Sequence, residues 1–261
     1  MRNDFIDNGS PFDWGKTSED YAKYRDIYPE AFYDKLTELS IGVKGQTVLD
    51  LGTGTGVLPR NMYRYGADWT GADISENQIA YARKLTEEAG MDIGYIVSPA
   101  EAVDFPDGTF DVITACQCFM YFDKAVLLPK IYKMLKPNGH FCVLFMAWLP
   151  EESPIAKASE ELVLKYNPSW TGGHMTRYTL ETPEWCGDMF EPANMLTCDL
   201  AVHFTRESWH GRIKACRGIG AFSLGETERG LWEQEHKAFL QTVPESFDIL
   251  HYVSILDLKK K

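Results

Sequence analysis

The pattern of apolar and polar positions between residues 46 and 149 alternates between short apolar runs and longer amphipathic segments. This alternation is typical of a parallel sheet whose strands are joined by helices. The predicted strands span residues 46–51, 69–73, 93–97, 110–116 and 141–146, and the predicted helices span residues 58–65, 76–88 and 124–135. Five strands in this order predict a doubly wound α/β sheet.

The flanking segments are less regular. Two short helices are predicted before the sheet region, at residues 17–25 and 29–39. After it, a helix at residues 153–166 is followed by an irregular, aromatic-rich segment at residues 167–192. The remaining predicted elements are strands at residues 195–204 and 247–258 and helices at residues 207–217 and 227–240. The last two strands would complete a sheet of seven.

The net charge argues against nucleic acid as the main partner. The 261 residues include 26 Lys and Arg against 38 Asp and Glu, a formal net charge of −12. A surface that displaces counterions from phosphates needs a basic face, and the only concentrated positive run is residues 259–261. We therefore expect no nucleic-acid partner, while the composition says nothing of oligomeric state.

Membrane, disulfide and zinc frameworks are not expected either. The chain begins Met1-Arg2-Asn3-Asp4 without an apolar signal segment, and its longest apolar run, residues 141–149, is too short for a span of about 20 residues. The six cysteines form no C-x-x-C pair, and no two histidines have the spacing of a helical metal site. We expect a cytoplasmic protein with reduced thiols, no metal and no membrane partner.

The segment that carries chemistry follows the first predicted strand. Residues 48–56 read Val-Leu-Asp-Leu-Gly-Thr-Gly-Thr-Gly, so a buried strand runs into three alternate glycines before a helix. Glycines allow a tight turn and leave backbone N–H groups bare toward a ligand. In the dinucleotide fingerprint the third glycine comes three positions after the second, whereas here it comes two positions after. The loop therefore departs from the pyrophosphate-binding pattern.

Two acids accompany this loop. Asp50 stands two positions before Gly52, where a carboxylate repels a pyrophosphate but attracts an ammonium such as that of S-adenosylmethionine. Asp73 ends the second predicted strand, 21 residues after Gly52, where it can accept both hydroxyls of a ribose. Either acid could instead cap a helix, although Ser75 is better placed to cap the helix after Asp73. Together the acids indicate a nucleoside that carries an amine.

Four motifs stand in order along residues 48–145. They are the strand and loop of residues 48–56, Gly-Ala-Asp-Ile-Ser at 71–75, Pro-Asp-Gly-Thr-Phe-Asp at 106–111 and Leu-Lys-Pro-Asn-Gly at 135–139. Together they resemble the motifs of class I S-adenosylmethionine-dependent methyltransferases of the type 11 small-molecule group. The resemblance implies a Rossmann-like, seven-stranded α/β sheet with helices on both faces, S-adenosylmethionine as cofactor and S-adenosylhomocysteine as product.

The first helical segment is similar to one branch of that group. Residues 20–25, Asp-Tyr-Ala-Lys-Tyr-Arg, resemble the N-terminus of trans-aconitate methyltransferase-like proteins, as do residues 113–115 and 121–123. Where that branch usually has His-Trp-Phe, this chain has Met-Tyr-Phe at residues 120–122. A histidine that would steer an acidic substrate is therefore missing.

The resemblance implies a set of cofactor-binding residues. In that set Arg25 faces the methionine carboxylate, Asp73 the ribose and Ile74 the adenine. The full set is Tyr21, Tyr24, Arg25, Asp50, Gly52, Thr53, Gly54, Asp73, Ile74, Gln78, Ala100, Glu101, Cys116 and Gln117. Alternatives remain, since the three-residue spacing of the two tyrosines favours packing and Glu101 could be a solvated first-turn residue.

The resemblance also divides the chain. Residues 1–45 are expected to form an N-terminal helical lid, 46–150 the cofactor-binding core, 151–194 an insert over the substrate, and 195–261 the strands and helices that complete the sheet. Position alone assigns the acceptor wall to Met120, Tyr121, Trp148, Trp170, His174, Arg177, Tyr178 and Arg217. Arg212 is also available if the acceptor is anionic.

The predicted reaction is methyl transfer to a small-molecule acceptor. No catalytic base is assigned, because displacement from a sulfonium has a good leaving group and alignment can supply much of the rate. One alternative is a nicotinamide-dependent oxidoreductase, since Tyr132 and Lys136 match a Y-x-x-x-K pattern, although no serine stands at residues 118–120. The other alternative is a non-catalytic protein that binds S-adenosylmethionine.

Overall fold

A computed structural model describes residues 6–222 and 224–261, so the predicted absence of a signal segment at residues 1–4 falls outside it. The strands are β1 (Thr47–Leu51), β2 (Asp68–Asp73), β3 (Gly94–Val97), β4 (Phe110–Cys116), β5 (Leu135–Trp148), β6 (Phe190–Thr205) and β7 (Ser246–Lys260). The helices are α1 (Ser18–Tyr24), α2 (Glu30–Glu38), α3 (Val57–Met62), α4 (Glu76–Glu88), α5 (Lys124–Met134), α6 (Pro154–Tyr166), α7 (Arg206–Lys214) and α8 (Glu226–Leu240). Short 3₁₀ turns connect several of them.

One sheet contains the seven described strands in the order β3-β2-β1-β4-β5-β7-β6. β1 pairs in parallel with β2 on one side and with β4 on the other. The chain thus leaves β1 toward β2 and β3, and later returns to continue on the opposite side. Ligands of open α/β sheets bind at the carboxyl ends of the strands where this reversal occurs. The loop after β1 lies at that point.

The strands at the other side run antiparallel. Leu149 donates its N–H to the carbonyl of Leu250, and the Lys260 ammonium donates to the carbonyl of Leu135. Residues early in β5 therefore meet residues late in β7. The prediction that residues 195–204 and 247–258 supply the last two strands is confirmed, and both strands are longer than predicted.

The chain divides into two compact units. The first contains the described residues up to Pro29 together with Ala147–Tyr178 and Asp199–Tyr252, and the second contains Glu30–Met146, Thr179–Cys198 and Val253–Lys261. Phe32 and Leu36 of α2 are fully buried, and that helix belongs to the second unit. The predicted division at residues 45, 150 and 194 stays a prediction.

The core of the second unit explains why its central strands are continuous apolar runs in the sequence. Leu49 and Leu51 of β1 and Ile113 and Ala115 of β4 are buried, as expected for parallel strands covered on both faces. Helix α5 packs into the same cluster through side chains that recur at helical spacing. Those side chains are Leu127, Leu128, Ile131 and Met134.

Candidate functional site

The loop between β1 and α3 has the conformation that its glycines predict. Gly52, Gly54 and Gly56 have φ angles of 65°, 57° and 74°, in the left-handed region that favours glycine. Gly56 precedes the first residue of α3, so the predicted order of strand, tight turn and helix is confirmed. This backbone brings the loop's N–H groups to the carboxyl end of β1.

Gly52 also has no room for a side chain. A Cβ atom there would lie 2.7 Å from the Cys118 sulfur and 2.8 Å from the Cys118 Cβ atom. The Cys118 thiol donates to the carbonyl of Leu51 at 3.0 Å, which braces the loop from the end of β4. Burial keeps the pKa of the Cys118 thiol well above its ordinary value, so the group stays protonated. Across the part of the chain that the structure describes, no cluster of His, Cys, Asp or Glu could hold a metal ion.

Asp73 joins the loop after β1 to the start of α4. Its Oδ2 atom accepts the N–H of Gly54 at 2.9 Å, and its Oδ1 atom accepts the N–H of Ser75 at 2.8 Å. Burial raises the pKa of Asp73, and these two hydrogen bonds oppose that rise. Ser75 caps α4 by accepting the N–H of Gln78, as the sequence predicts. Each carboxylate oxygen retains a further lone pair for a ligand hydroxyl.

Asp50 lies behind the loop. Its side chain is 1% exposed, and its Oδ1 atom accepts the hydroxyl of Thr114 at 2.7 Å. Burial raises the pKa of Asp50 to about 7, although the Thr114 hydroxyl lowers it. The neighbouring loop residue Thr53 donates its N–H to the carbonyl of Ala72, which ties the loop to β2. Asp50 is thus held by Thr114 of β4, and its contact with a ligand ammonium stays a prediction.

Two apolar side chains are exposed at the carboxyl ends of β2 and β3. Ile74 and Val97 are each 46% exposed, and Val97 pairs in register with Asp73. Exposed apolar side chains beside a half-buried acid form a surface suited to a flat aromatic base next to a polar sugar. The sequence predicted Ile74 but missed Val97, whose signal was its place as the last residue of the third strand.

Several other predicted cofactor residues already have protein partners. Glu101 accepts the N–H of Asp123, which itself caps α5. Gln117 has a left-handed backbone, and its side-chain amide donates to the carbonyl of Met146. Gln78 and Ala100 are buried, and Cys116 is half-buried at the end of β4. The cofactor contacts of these five residues stay predictions.

Tyr21, Tyr24 and Arg25 belong to the first unit, on and just after α1. The Arg25 guanidinium lies 4.7 Å from the centre of the Tyr21 ring. The Tyr24 hydroxyl donates to Glu207 of α7 at 3.1 Å. Both tyrosines thus have contacts within their own unit. Their predicted action as a lid stays a prediction.

Two of the predicted acceptor residues meet at one buried acid. Glu160 of α6 accepts the indole N–H of Trp148 at 2.5 Å and the backbone N–H of His174 at 2.8 Å. Burial raises the pKa of Glu160. The sequence missed Glu160, although it falls with Ala156 and Val163 on the buried face of its helix.

The other predicted acceptor residues are dispersed. Arg177 forms ion pairs with Glu152 and Asp199, and Arg217 forms one with Asp7 at 2.6 Å. In the first unit Trp170 is buried and Tyr178 is exposed, whereas the exposed Met120 and half-exposed Tyr121 belong to the second unit. The contacts of these residues with an acceptor stay predictions.

Comparisons with known proteins agree with this geometry. Residues 49–143 match the family model described as a methyltransferase domain. A ubiquinone biosynthesis O-methyltransferase of Pseudomonas entomophila is 30% identical over 161 residues, which cover 60% of this chain and 68% of that protein. The chain belongs to the class I S-adenosylmethionine-dependent methyltransferases of the type 11 group. This methyltransferase is therefore an enzyme.

Other relatives differ in how much of their length is matched. A demethylmenaquinone methyltransferase of Thermus thermophilus is 34% identical to this methyltransferase over 113 residues, 42% of this chain and 51% of that protein. The chain thus spans about half the length of some curated relatives that it matches and 80% of another.

A solved structure supports the fold. It is described as a type II methyltransferase from Anaeromyxobacter dehalogenans, and it matches with a TM-score of 0.59 at 18% identity, over 89% of this chain and 96% of that one. The predicted seven-stranded Rossmann-like fold is therefore confirmed. In residues 6–222 and 224–261 of this methyltransferase, no helix has the length and apolar character needed to cross a membrane.

Proposed function

We propose that this methyltransferase transfers the methyl group of S-adenosylmethionine to a nucleophilic atom of a small-molecule acceptor and releases S-adenosylhomocysteine. The observation that carries the proposal is the linkage of three left-handed glycines to Asp73 through the N–H of Gly54. It sets an acid that can accept ribose hydroxyls beside a loop of bare backbone at the switch point of the sheet.

Different residues of the second unit would bind different parts of the cofactor. The loop from Gly52 to Gly54 would face the methionine end, and Asp73 would accept the ribose hydroxyls with its remaining lone pairs. Ile74 and Val97 would lie against the adenine, since both are apolar and exposed. Asp50, which Thr114 of β4 holds in place, would favour an ammonium nearby when it is ionised.

The proposed chemistry asks the protein mainly for alignment. S-adenosylmethionine supplies a sulfonium whose neutral thioether is the leaving group, and the acceptor atom must approach in line with the breaking bond. A general base is needed only when the acceptor proton has a high pKa. His236 and His251 do not suggest one, because burial lowers the pKa of each to about 3.

The names of the relatives widen the range of acceptors to test. They include O-methyltransferases and C-methyltransferases of quinone biosynthesis, so both oxygen and carbon acceptors belong in a screen. The trans-aconitate-like N-terminal segment adds small organic acids to that range.

The test is a reaction with S-adenosylmethionine labelled in the methyl group and a metabolite extract, followed by mass spectrometry. We expect at least one metabolite to gain one labelled methyl group while S-adenosylhomocysteine accumulates. The Asp73→Ala variant, which loses the link to Gly54, should form much less product than the wild type. If the cofactor binds but no metabolite is labelled in any extract, the proposed transfer to a small-molecule acceptor is refuted.

A further inference from the structure

Arg212 of α7 is a buried cation. It is 5% exposed, and within residues 6–222 and 224–261 no acid forms an ion pair with it and no atom accepts a hydrogen bond from its Nε or Nη1 atom. Arg206, at the start of the same helix, pairs with Glu245, and Arg217 pairs with Asp7. Arg212 thus differs from these two arginines of the same unit.

The surroundings of Arg212 are aromatic and cationic, and all belong to the first unit. Its guanidinium lies 4.8 Å from the centre of the Trp148 ring, so one face is covered. Arg25 is close enough to repel it, and the next largest electrostatic influences come from the Cys216 thiol and the Tyr21 and Tyr28 phenols. We call Arg212, Arg25, Trp148, Tyr21 and Tyr28 the Arg212 site.

This arrangement is unfavourable unless something neutralises it. Burial and the charge of Arg25 lower the pKa of Arg212 to about 9, yet the group remains mostly charged at neutral pH. An uncompensated buried charge costs several kcal/mol in general, and replacement by an apolar side chain often stabilises a protein. Buried groups perturbed in this way are characteristic of functional sites.

The charges of the site favour a negatively charged ligand. Tyr21 shares a hydrogen bond with Arg25, but a neutral phenol does not cancel the charge of a guanidinium. The site therefore carries two cationic side chains, and a carboxylate matches the Arg212 guanidinium in charge and planarity. The net charge of −12 for the whole chain makes such a cationic site a local exception.

We propose that the Arg212 site binds a carboxylate, with Arg212 as its main hydrogen-bond donor and Trp148 as an apolar wall. This assignment rests on the proposed function for its biological ligand, which would be the methyl acceptor, an organic acid.

The first experiment uses sodium benzoate as the probe and sodium chloride at equal ionic strength as the reference. Thermal unfolding and tryptophan fluorescence are followed for the wild-type chain, Arg212→Met and the charge-matched control Arg206→Met. We expect benzoate to stabilise the wild type and Arg206→Met, and its dissociation constant to rise by at least about tenfold in Arg212→Met. Without benzoate, Arg212→Met should unfold at the wild-type temperature or above it.

Two outcomes overturn the proposal. One is that benzoate binds none of the three proteins, and the other is that it binds all three equally. If Arg212→Met does not fold, Arg212→Lys replaces it. That variant keeps the charge but loses the planar donor group, so benzoate should bind more weakly than to the wild type.

Titration with S-adenosylhomocysteine keeps this proposal separate from the proposed function. We expect Arg212→Met to keep the wild-type affinity for S-adenosylhomocysteine and benzoate to bind the wild type that S-adenosylhomocysteine has saturated. A wild type that binds benzoate but no S-adenosylhomocysteine would refute the proposed function and leave the Arg212 site intact.

Discussion

The carboxylate of Asp73 accepts the backbone N–H of Gly54 at 2.9 Å. The bond joins the ends of two neighbouring parallel strands, because Gly54 follows β1 and Asp73 ends β2. The second oxygen of Asp73 accepts the N–H of Ser75, so one side chain fixes both the glycine loop and the start of α4. The acid proposed to hold the ribose is thus also the support of the loop proposed to hold the methionine end.

Replacing Asp73 should therefore weaken cofactor binding. We expect Asp73→Ala to lose about 1–3 kcal/mol of affinity for S-adenosylhomocysteine, because a charge-assisted acceptor and the support of the loop are both removed. Isothermal calorimetry measures the change. Asp92→Ala, which removes an exposed acid that follows α4, is the control and should bind like the wild type. An unchanged affinity in Asp73→Ala would count against the ribose assignment.

A side chain at Gly52 should damage the loop more than a left-handed backbone alone explains. Gly52→Ala costs roughly 1–2 kcal/mol for the left-handed backbone and a further 1–3 kcal/mol or so for the contact with Cys118. Gly90→Ala is the matched control, because Gly90 has a φ of 64° and open space at its Cβ position. Urea unfolding should show a larger loss of stability for Gly52→Ala. Equal losses in the two variants would show that the approach of Cys118 is unimportant.

The sequence predicted most accurately the elements that begin and end at typical capping residues. The bounds of α4 were predicted correctly, because Ser75 caps the helix and Gly90 follows its end. The start of β5 was misplaced by six residues, since Pro-Asn-Gly at 137–139 was interpreted as the end of the preceding helix. In the structure Asn138 has a φ of 62°, and the pairing of β4 with β5 is irregular at that point rather than interrupted by a separate turn.

The site was predictable only where its residues lie close together in the chain. The glycine loop and Asp73 follow strands whose order the hydrophobic pattern reveals. The contacts of Glu160 and Arg212 could not be predicted, because these residues lie on α6 and α7 and their shared partner Trp148 lies on β5. Their burial also depends on how those elements pack. A pattern along one helix can show that a charged residue faces inward, but it cannot show what that residue meets.

Ionisation of Asp50 should lower the stability of the folded protein as pH rises. Its folded pKa of about 7 lies above its ordinary value of 3.8, so the native state holds the proton more tightly than the unfolded state. The stabilisation is complete below about pH 4 and is lost as pH rises through about 7. Relative to Asp50→Asn, the wild type should lose roughly 2–3 kcal/mol between pH 5 and 7 in urea unfolding. A pH-independent difference between the two proteins would contradict this.

Acid should destabilise the first unit, because two of its buried histidines must take up protons. The Nδ1 atoms of His210 and His236 lie 2.8 Å apart, and burial lowers their pKa values to about 4 and about 3. Their stabilising effect is present above the unfolded pKa of 6.5 and is lost as pH falls toward those values.

The corresponding variant is His236→Gln, which keeps a polar group near Ser159. Its unfolding free energy should fall less steeply between pH 6.5 and 4, by up to about 1.4 kcal/mol per pH unit. Circular dichroism during urea unfolding at several pH values measures the slopes. The same slope in the variant and the wild type would show that His236 takes up no proton during acid unfolding.

The central claim is that the glycine loop and Asp73 bind S-adenosylmethionine rather than a dinucleotide. Calorimetric titration of the full chain with S-adenosylhomocysteine and, separately, with NADH tests it most directly. The proposed site predicts saturable binding of S-adenosylhomocysteine, weakened in Asp73→Ala, and no binding of NADH. Tight binding of NADH without binding of S-adenosylhomocysteine would contradict it.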